Sequence, residues 1–274
     1  MNRAKKTIPW SRVGTYVVAI LMALWILAPI YLIAVLAFSE RQDIYLFPKP
    51  LFPGPFSLDT FLFFLNSTGV TKGLLNSVLV AVITMALSLL IGGPAGYALA
   101  RFSFRGKDTF RVAIVSTRAF PLVILSIPLA VTFIQWGIYD SIFSLALMHT
   151  AMTLPFTVLI TSSVFASVPR ELEEAAEVLG CSPVQAFLRV IVPLALPGLA
   201  AATLFNFVTS WNEVFAAVIL TVRNRTLPAL ILASLNESSL PYRFAGGFVM
   251  LVPSLLFMLF IRRYLLTLWG RVVR

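Results

Sequence analysis

Between Arg12 and Glu40 the chain carries no charged residue, and the apolar run at 13–38 exceeds the roughly 20 residues of helix that a bilayer core requires. Five further apolar runs follow at about 73–100, 110–136, 142–168, 194–220 and 244–261. The pattern predicts an all-α membrane protein of six transmembrane helices. The first run has a rival reading as a secretion signal, since MNRAKK is basic and Val35-Leu36-Ala37 resembles a cleavage site. It outlasts the ~7–15 residues of a usual signal core, so a retained helix is favoured. Ala119-Phe120-Pro121 and Pro128 should interrupt the third span, and Pro155 should kink the fourth. Neither an internal repeat nor a soluble domain stands out, so residues 1–274 read as a single transmembrane domain.

Composition agrees with the pattern. Hydrophobic residues make up 59% of the chain and charged residues 12%, at a mean hydropathy of +0.93; soluble domains are about 45–50% apolar and about 25% charged. A net charge of +10 could suggest nucleic acid, but the cations flank the apolar runs instead of forming one patch. With the N-terminus inside, fourteen Lys and Arg fall on the cytoplasmic side, among them Arg3, Lys5, Lys6, Arg105 and Arg274, against six outside. That bias places both termini in the cytoplasm. One cysteine, Cys181, excludes an intrachain disulfide framework, and one histidine, His149, leaves little for metal chemistry. Beside Thr150 and Thr153, His149 reads as a hydrogen-bonded helix-packing residue.

The densest acidic cluster lies between the fourth and fifth spans, in RELEEAAEVLGCSPVQAFLRVIVPLALPG at 170–198. Pro169 suits a helix start, and Glu171, Glu173 and Glu174 favour the positive end of a helix dipole. Leu172, Ala175, Ala176 and Leu179 recur at helical spacing as a small apolar face. Gly180 fits a left-handed C-terminal cap, and Ser182-Pro183-Val184-Gln185 reads as a second helix start with a capping box. Two short helices with a fixed bend suit docking into a groove of another protein. The rival is an amphipathic loop on the membrane surface, which four acids make unattractive to anionic lipid.

Glu174-Ala175-Ala176, with Gly180 and then Pro193 at their spacings, resembles the EAA loop of ABC-importer permease subunits of the maltose and carbohydrate type. Val190 and Val192 stand where that pattern has isoleucine and leucine, and Leu179 where sugar permeases often have aspartate. NSVLVAVITMALSLLIGGPAGYALARFSFRGK and SWNEVFAAVIL are similar to other parts of the same family. The resemblance implies a type I importer permease fold and an ATPase-coupling loop at 169–193 carrying Leu172, Glu174, Ala175, Ala176, Leu179, Gly180 and Pro193. It implies four kinds of partner in a prokaryotic plasma membrane: a second permease subunit, two ATP-binding cassette ATPase subunits, an extracytoplasmic solute-binding protein and membrane lipid. Nucleic acid is not expected. The substrate it implies is a di- or oligosaccharide, a polyol or a glycerol-phosphate-like solute. Independently, the sequence lacks a G-x-x-x-x-G-K-[ST] phosphate cradle, so ATP and Mg belong to a partner and the chain is expected to be no enzyme and to hold no cofactor of its own. Gly92, Gly93 and Gly96 read instead as close helix packing. An ATP-independent secondary transporter or channel is the alternative, and it leaves the acidic loop unexplained.

An arginine within hydrocarbon costs at least about 2.5–3.5 kcal/mol on insertion scales, so Arg118 should face a cavity or a partner. Glu213 in the fifth span is its natural partner by sign. Two readings stay open: Arg118, Trp211, Asn212 and Glu213 line a substrate path, or Arg118 is structural or snorkels to the interface. The first outer loop, rich in proline and aromatics, suits an ordered interfacial cap. In the loop at 221–243, residues 227–235 read as a short interfacial helix, for which the resemblance implies contact with a solute-binding protein, or as a passive re-entrant loop packed on its neighbours.

Overall fold

The computed structural model describes residues 10–49, 52 and 54–272. The charges at Arg3, Lys5, Lys6 and Arg274 that contribute to the orientation argument lie outside these residues. Among those described, all regular structure is helical. The long helices are α1 (Trp10–Ala37), α3 (Val70–Arg101), α6 (Ile142–Ala166), α9 (Val192–Trp211) and α12 (Leu240–Val272). Shorter helices lie between them: α2 (Asp59–Leu65), α4 (Lys107–Ser116), α5 (Leu122–Gln135), α7 (Glu171–Val178), α8 (Pro183–Ala186), α10 (Phe215–Leu220) and α11 (Leu227–Ala233).

Among the described residues, five helices are long and apolar enough to cross a membrane. The third expected span is instead a pair, 107–119 and 124–135, bent by 88°, and counting it as one span brings the total to six. The bend falls at Phe120-Pro121, where Phe120 is extended at ψ 124° because its proline neighbour disfavours the helical region. The fifth span also differs from expectation. Its helix runs unbroken from Pro183 to Trp211 and stops there, with Asn212, Glu213 and Val214 separating it from α10. A π turn at Phe187–Ile191, where the Val192 N–H reaches back to the Phe187 carbonyl, precedes Pro193. Widening the helix there eases the clash between the proline ring and the carbonyl four residues earlier. Helices α1, α3, α5, α6, α9 and α12 each contain an internal proline.

The chain divides into two compact units. In the first, residues 1–67 and 237–249, Phe38 stacks on Phe56 at 5.3 Å and meets Phe248 edge-on at 4.9 Å. Phe64 packs on Tyr242 at 4.9 Å, and the Thr60 hydroxyl donates to the Ser39 carbonyl. Aromatic and hydroxyl contacts thus tie the described residues between α1 and α2 to α2 and to the start of α12. The apolar side chains of α1 from Val13 to Leu27 stand open, Trp25 at 82% exposure, which water would penalise and lipid or a partner would not.

The second unit, residues 68–236 and 250–274, is built on α3, α6 and α9. A Cβ on Gly92 would come within 2.8 Å of Thr157 Cγ2, and one on Gly96 would fall on Thr161 Oγ1 and 2.8 Å from the Ser162 nitrogen. These glycines set how closely α3 and α6 approach. Gly93 is not part of that contact; only Leu89 of its own helix lies near. Thr150, Thr153, Thr157 and Thr161 form a hydroxyl ladder along α6, each donating to the carbonyl four residues earlier. Across the helices Ser88 meets Thr153, while the single hydroxyl protons of Thr161 and Thr157 are shared between those carbonyls and, respectively, the Gly92 carbonyl and the Asn206 side-chain oxygen. Below this ladder Val80, Phe133, Leu145, Ala217, Leu220 and Ala229 form an apolar core shared by α3, α5, α6, α10 and α11.

The first half of α11 is buried, with Leu227 and Ala229 fully enclosed, while Leu232 and Ala233 at its end are exposed. The Leu227 N–H donates to Ser77 and the Asn76 amide to the Arg225 carbonyl. Asp140, at φ +55°, accepts the backbone N–H groups of Val222, Arg223 and Asn224 at 2.9–3.1 Å and so ties two loops together. Burial raises its pKa, but the three N–H groups and the Arg223 charge outweigh that effect and hold it below the usual aspartate value.

Candidate functional site

The acidic segment folds as its local chemistry dictates. Glu171, Glu173 and Glu174 occupy the first turn of α7. At the other end Gly180 has φ +92°; its N–H donates to Glu177, and the Cys181 N–H donates to Ala176. This pair of bonds is a Schellman cap, in which the left-handed residue favours glycine. Ser182 accepts the Gln185 N–H and Gln185 accepts the Ser182 N–H, closing the capping box ahead of Pro183. Pro169 stays just outside the helix, whose first residue is Glu171 after Arg170 at the cap. Pro193 lies on the surface of the long helix that follows the bend.

Helix α7 has an open side and an anchored side. Leu172, Glu174, Ala175, Val178 and Leu179 are exposed, Val178 and Leu179 at 87% and 86%. Ala176 is not part of that face; it is buried with Glu173, three residues back and therefore on the same side. Glu173 Oε2 lies 2.8 Å from Arg101 Nε at the end of α3, in ion contact off the N–H axis. Its other oxygen accepts the Tyr97 hydroxyl. Arg101 also donates to the Val168 carbonyl, and Arg170 donates to the Arg101 carbonyl.

The structure does not join Arg118 to Glu213. Arg118 sits on a 3-10 turn, Thr117–Ala119, with its guanidinium 3.7 Å from the Phe156 ring centroid. This cation–π contact needs no carboxylate. The arginine lines a cavity of about 590 Å³ together with Thr117, Phe120, Pro121, Thr132, Met152 and Pro155. Glu213 pairs with His149 at 3.2 Å, while its two oxygens accept the N–H groups of Ala216 and Ala217. The carboxylate therefore caps α10, satisfying donors that the first turn of a helix leaves open. His149 also meets the Ser210 hydroxyl at 2.7 Å, in keeping with a hydrogen-bonded packing role. Trp211 is buried, donates its indole N–H to the Met250 carbonyl and stacks on Phe207. Asn212 is exposed and bonds back to Val208. None of Trp211, Asn212 and Glu213 lines the Arg118 cavity. Among the described residues no group of three His, Cys, Asp or Glu could hold a metal ion.

Comparison with known proteins adds to this geometry. Residues 92–266 match the family described as binding-protein-dependent transport system inner membrane component. The chain is 32% identical over 221 residues to the diacetylchitobiose uptake system permease protein DasC of Streptomyces coelicolor, covering 80% of each. It is 29% identical over 268 residues to the trehalose transport system permease protein SugB of Mycobacterium tuberculosis, covering 95% of this chain and 94% of that one. The sulfoquinovosyl glycerol transport system permease protein SmoH of Agrobacterium fabrum is 33% identical over 208 residues, 74% of this chain and 73% of the relative. Among solved structures, a chain of a bacterial ABC transporter involved in import of the acidic polysaccharide alginate superposes at TM-score 0.74 with 21% identity, covering 95% of this chain and 99% of that one, which speaks to the fold.

Proposed function

The chain belongs to the family of binding-protein-dependent transport system inner membrane components, and from that premise we propose that it is one of two permease subunits of an ATP-driven importer for a carbohydrate. Both termini and α7 face the cytoplasm of a prokaryotic cell, and the bent α4–α5 pair counts as the third of six spans. A partner ATPase binds ATP and Mg and receives the open face of α7. A second, related permease completes the pathway, and an extracytoplasmic binding protein delivers the solute. Arg118 and its cavity belong to the solute path. A di- or oligosaccharide, a polyol or a glycerol-phosphate-like solute is the cargo, in line with the sugars and glycosides named for the relatives.

The observation that carries this reading is the exposure of Leu172, Ala175, Val178 and Leu179 on a helix that is otherwise capped and anchored. Open apolar side chains outside the long spans call for a protein partner. Copurification tests it: the tagged chain should bring down an ATPase and a second permease. Val178→Asp, on the most exposed position of that face, should strip the ATPase and leave the chain in the membrane. Uptake by the reconstituted complex, screened over sugars and polyols, identifies the cargo; an ATPase bound equally well by Val178→Asp would refute the docking role.

A further inference from the structure

Glu173 is the odd member of the four carboxylates on α7. Glu171, Glu174 and Glu177 are exposed, whereas Glu173 is turned inward. The ion pair it forms with Arg101 is nearly dry, with side-chain exposures of 12% and 8%. Tyr97, one turn before Arg101 on α3, adds its hydroxyl to the same carboxylate. The Tyr97 ring packs against Phe165 at the end of α6 and Phe187 in the π turn. Arg101 and Arg170 add side-chain bonds to the Val168 and Arg101 carbonyls. One cluster thus gathers α7, the C-terminal ends of α3 and α6, and the turn leading to α9.

Elsewhere α7 is loosely held. Its outer face is bare, and a Cβ at Gly180 would meet nothing within 4 Å. Displacement of α7 has therefore two possible fates: bending of its flanking loops, or movement of the helix to which Glu173 is fastened. The buried pair opposes the first, because parting the charges leaves both desolvated and unpaired.

We propose that Glu173, Arg101 and Tyr97 are positioning residues of the transport cycle: they make α7 and the end of α3 one rigid body, so that movement of α7 enters the membrane through α3. The proposal rests on the reading of α7 as the ATPase contact and adds where the motion goes. From α3 it passes to α6 through the Gly92 and Gly96 contacts. Rigid transmission of this kind is how packed helices carry coupling between distant sites.

The test uses the full complex with its ATPase and binding protein, reconstituted in liposomes. In Glu173→Gln, bound ATPase and basal hydrolysis should stay at the wild-type level, while binding-protein-stimulated hydrolysis and uptake of the identified cargo fall about 5–150-fold, the usual span of coupling free energies. The pair Arg101→Cys with Glu173→Cys, built on Cys181→Ser, should be uncoupled when reduced and regain stimulation and uptake once a short bis-methanethiosulfonate bridges the two positions, forming a disulfide with each thiol and releasing two methanesulfinates. Full stimulation in Glu173→Gln or in the reduced pair, or no recovery on bridging, overturns the proposal. So does a loss of uptake matched by an equal loss of bound ATPase, which would make the cluster a folding or docking element only. A wild-type complex whose hydrolysis the binding protein does not stimulate would instead overturn the functional reading itself.

Discussion

His149 Nε2 lies 3.2 Å from Glu213 Oε2 across the interface of α6 with the α9–α10 break, and the same carboxylate caps α10 through the N–H groups of Ala216 and Ala217. Glu213→Ala should therefore lose more than one interaction at once. Leaving buried donors unpaired costs about 1–3 kcal/mol, read as a lower midpoint of thermal unfolding in detergent. A double-mutant cycle of His149→Phe with Glu213→Ala should show a coupling of about 0.5–3 kcal/mol, whereas Arg118→Met with Glu213→Ala should be additive. Coupling in the second cycle and additivity in the first would restore the arginine–glutamate pairing expected from charge alone.

Gly180→Ala isolates the backbone requirement of the bend, since φ is +92° and no atom crowds the site. A left-handed non-glycine residue costs about 1–2 kcal/mol. Membrane insertion should be unchanged and uptake reduced, with Gly180→Pro more severe because the Schellman cap also loses its N–H. Uptake at the wild-type level in both variants would remove the bend from the transport cycle.

Neighbouring glycines on α3 should behave differently. Gly96→Ala forces a Cβ onto Thr161 and should cost about 1–3 kcal/mol through overpacking. Gly93→Ala meets only its own helix and should be neutral or gain about 0.5–1 kcal/mol from backbone entropy. Folded yield and thermal midpoint compare the two directly; equal losses would mean that α3 and α6 do not meet along this line.

Asp140 supplies a pH dependence of known sign. Its folded pKa lies below its unfolded value, so its contribution is complete above the unfolded value, about 3.9, and is lost as pH falls through the lower folded value. Acid unfolding followed by fluorescence should show this loss. Asp140→Asn should be less stable at neutral pH and should flatten the acid limb; an unchanged limb would mean that the three N–H bonds do not act on this carboxylate.

Orientation has a separate test. On a Cys181→Ser background, a cysteine at Phe47, which is 94% exposed, should react with an impermeant thiol reagent in intact cells, and one at Arg105 should not. The reverse labelling would invert the membrane orientation derived from the Lys and Arg distribution.

Local chemistry made much of the acidic segment legible. The Gly180 cap and the Ser182–Gln185 box depend on residues within one turn of each other, and the bend at Phe120-Pro121 follows from one proline. What tertiary capture decides was hidden. No proline or glycine marks the break at Asn212–Val214; it is held by Glu213, whose partner His149 is 64 residues away. A short helix with acids on several sides does not reveal which side is anchored, so the spacing groups Ala176 with Leu172, Ala175 and Leu179, whereas the structure buries it beside Glu173. Sign alone linked Arg118 to Glu213, because a neutral aromatic partner such as Phe156 leaves no trace in a charge count. Pairing Arg101 with Glu173 was open to the same reasoning, since each lies beside the end of an apolar span.

The hydroxyl ladder of α6 bears on how the protein is made. Thr150, Thr153, Thr157 and Thr161 each return a bond to their own helix before any neighbour is counted. A newly synthesised α6 can therefore leave the translocation machinery as a lone helix whose side-chain oxygens are already satisfied in lipid. Docking with α3 and α9 then exchanges or shares those bonds and does not rescue bare polar groups. The threonines make biogenesis separable into insertion and later assembly, and let this span wait in the bilayer for its neighbours.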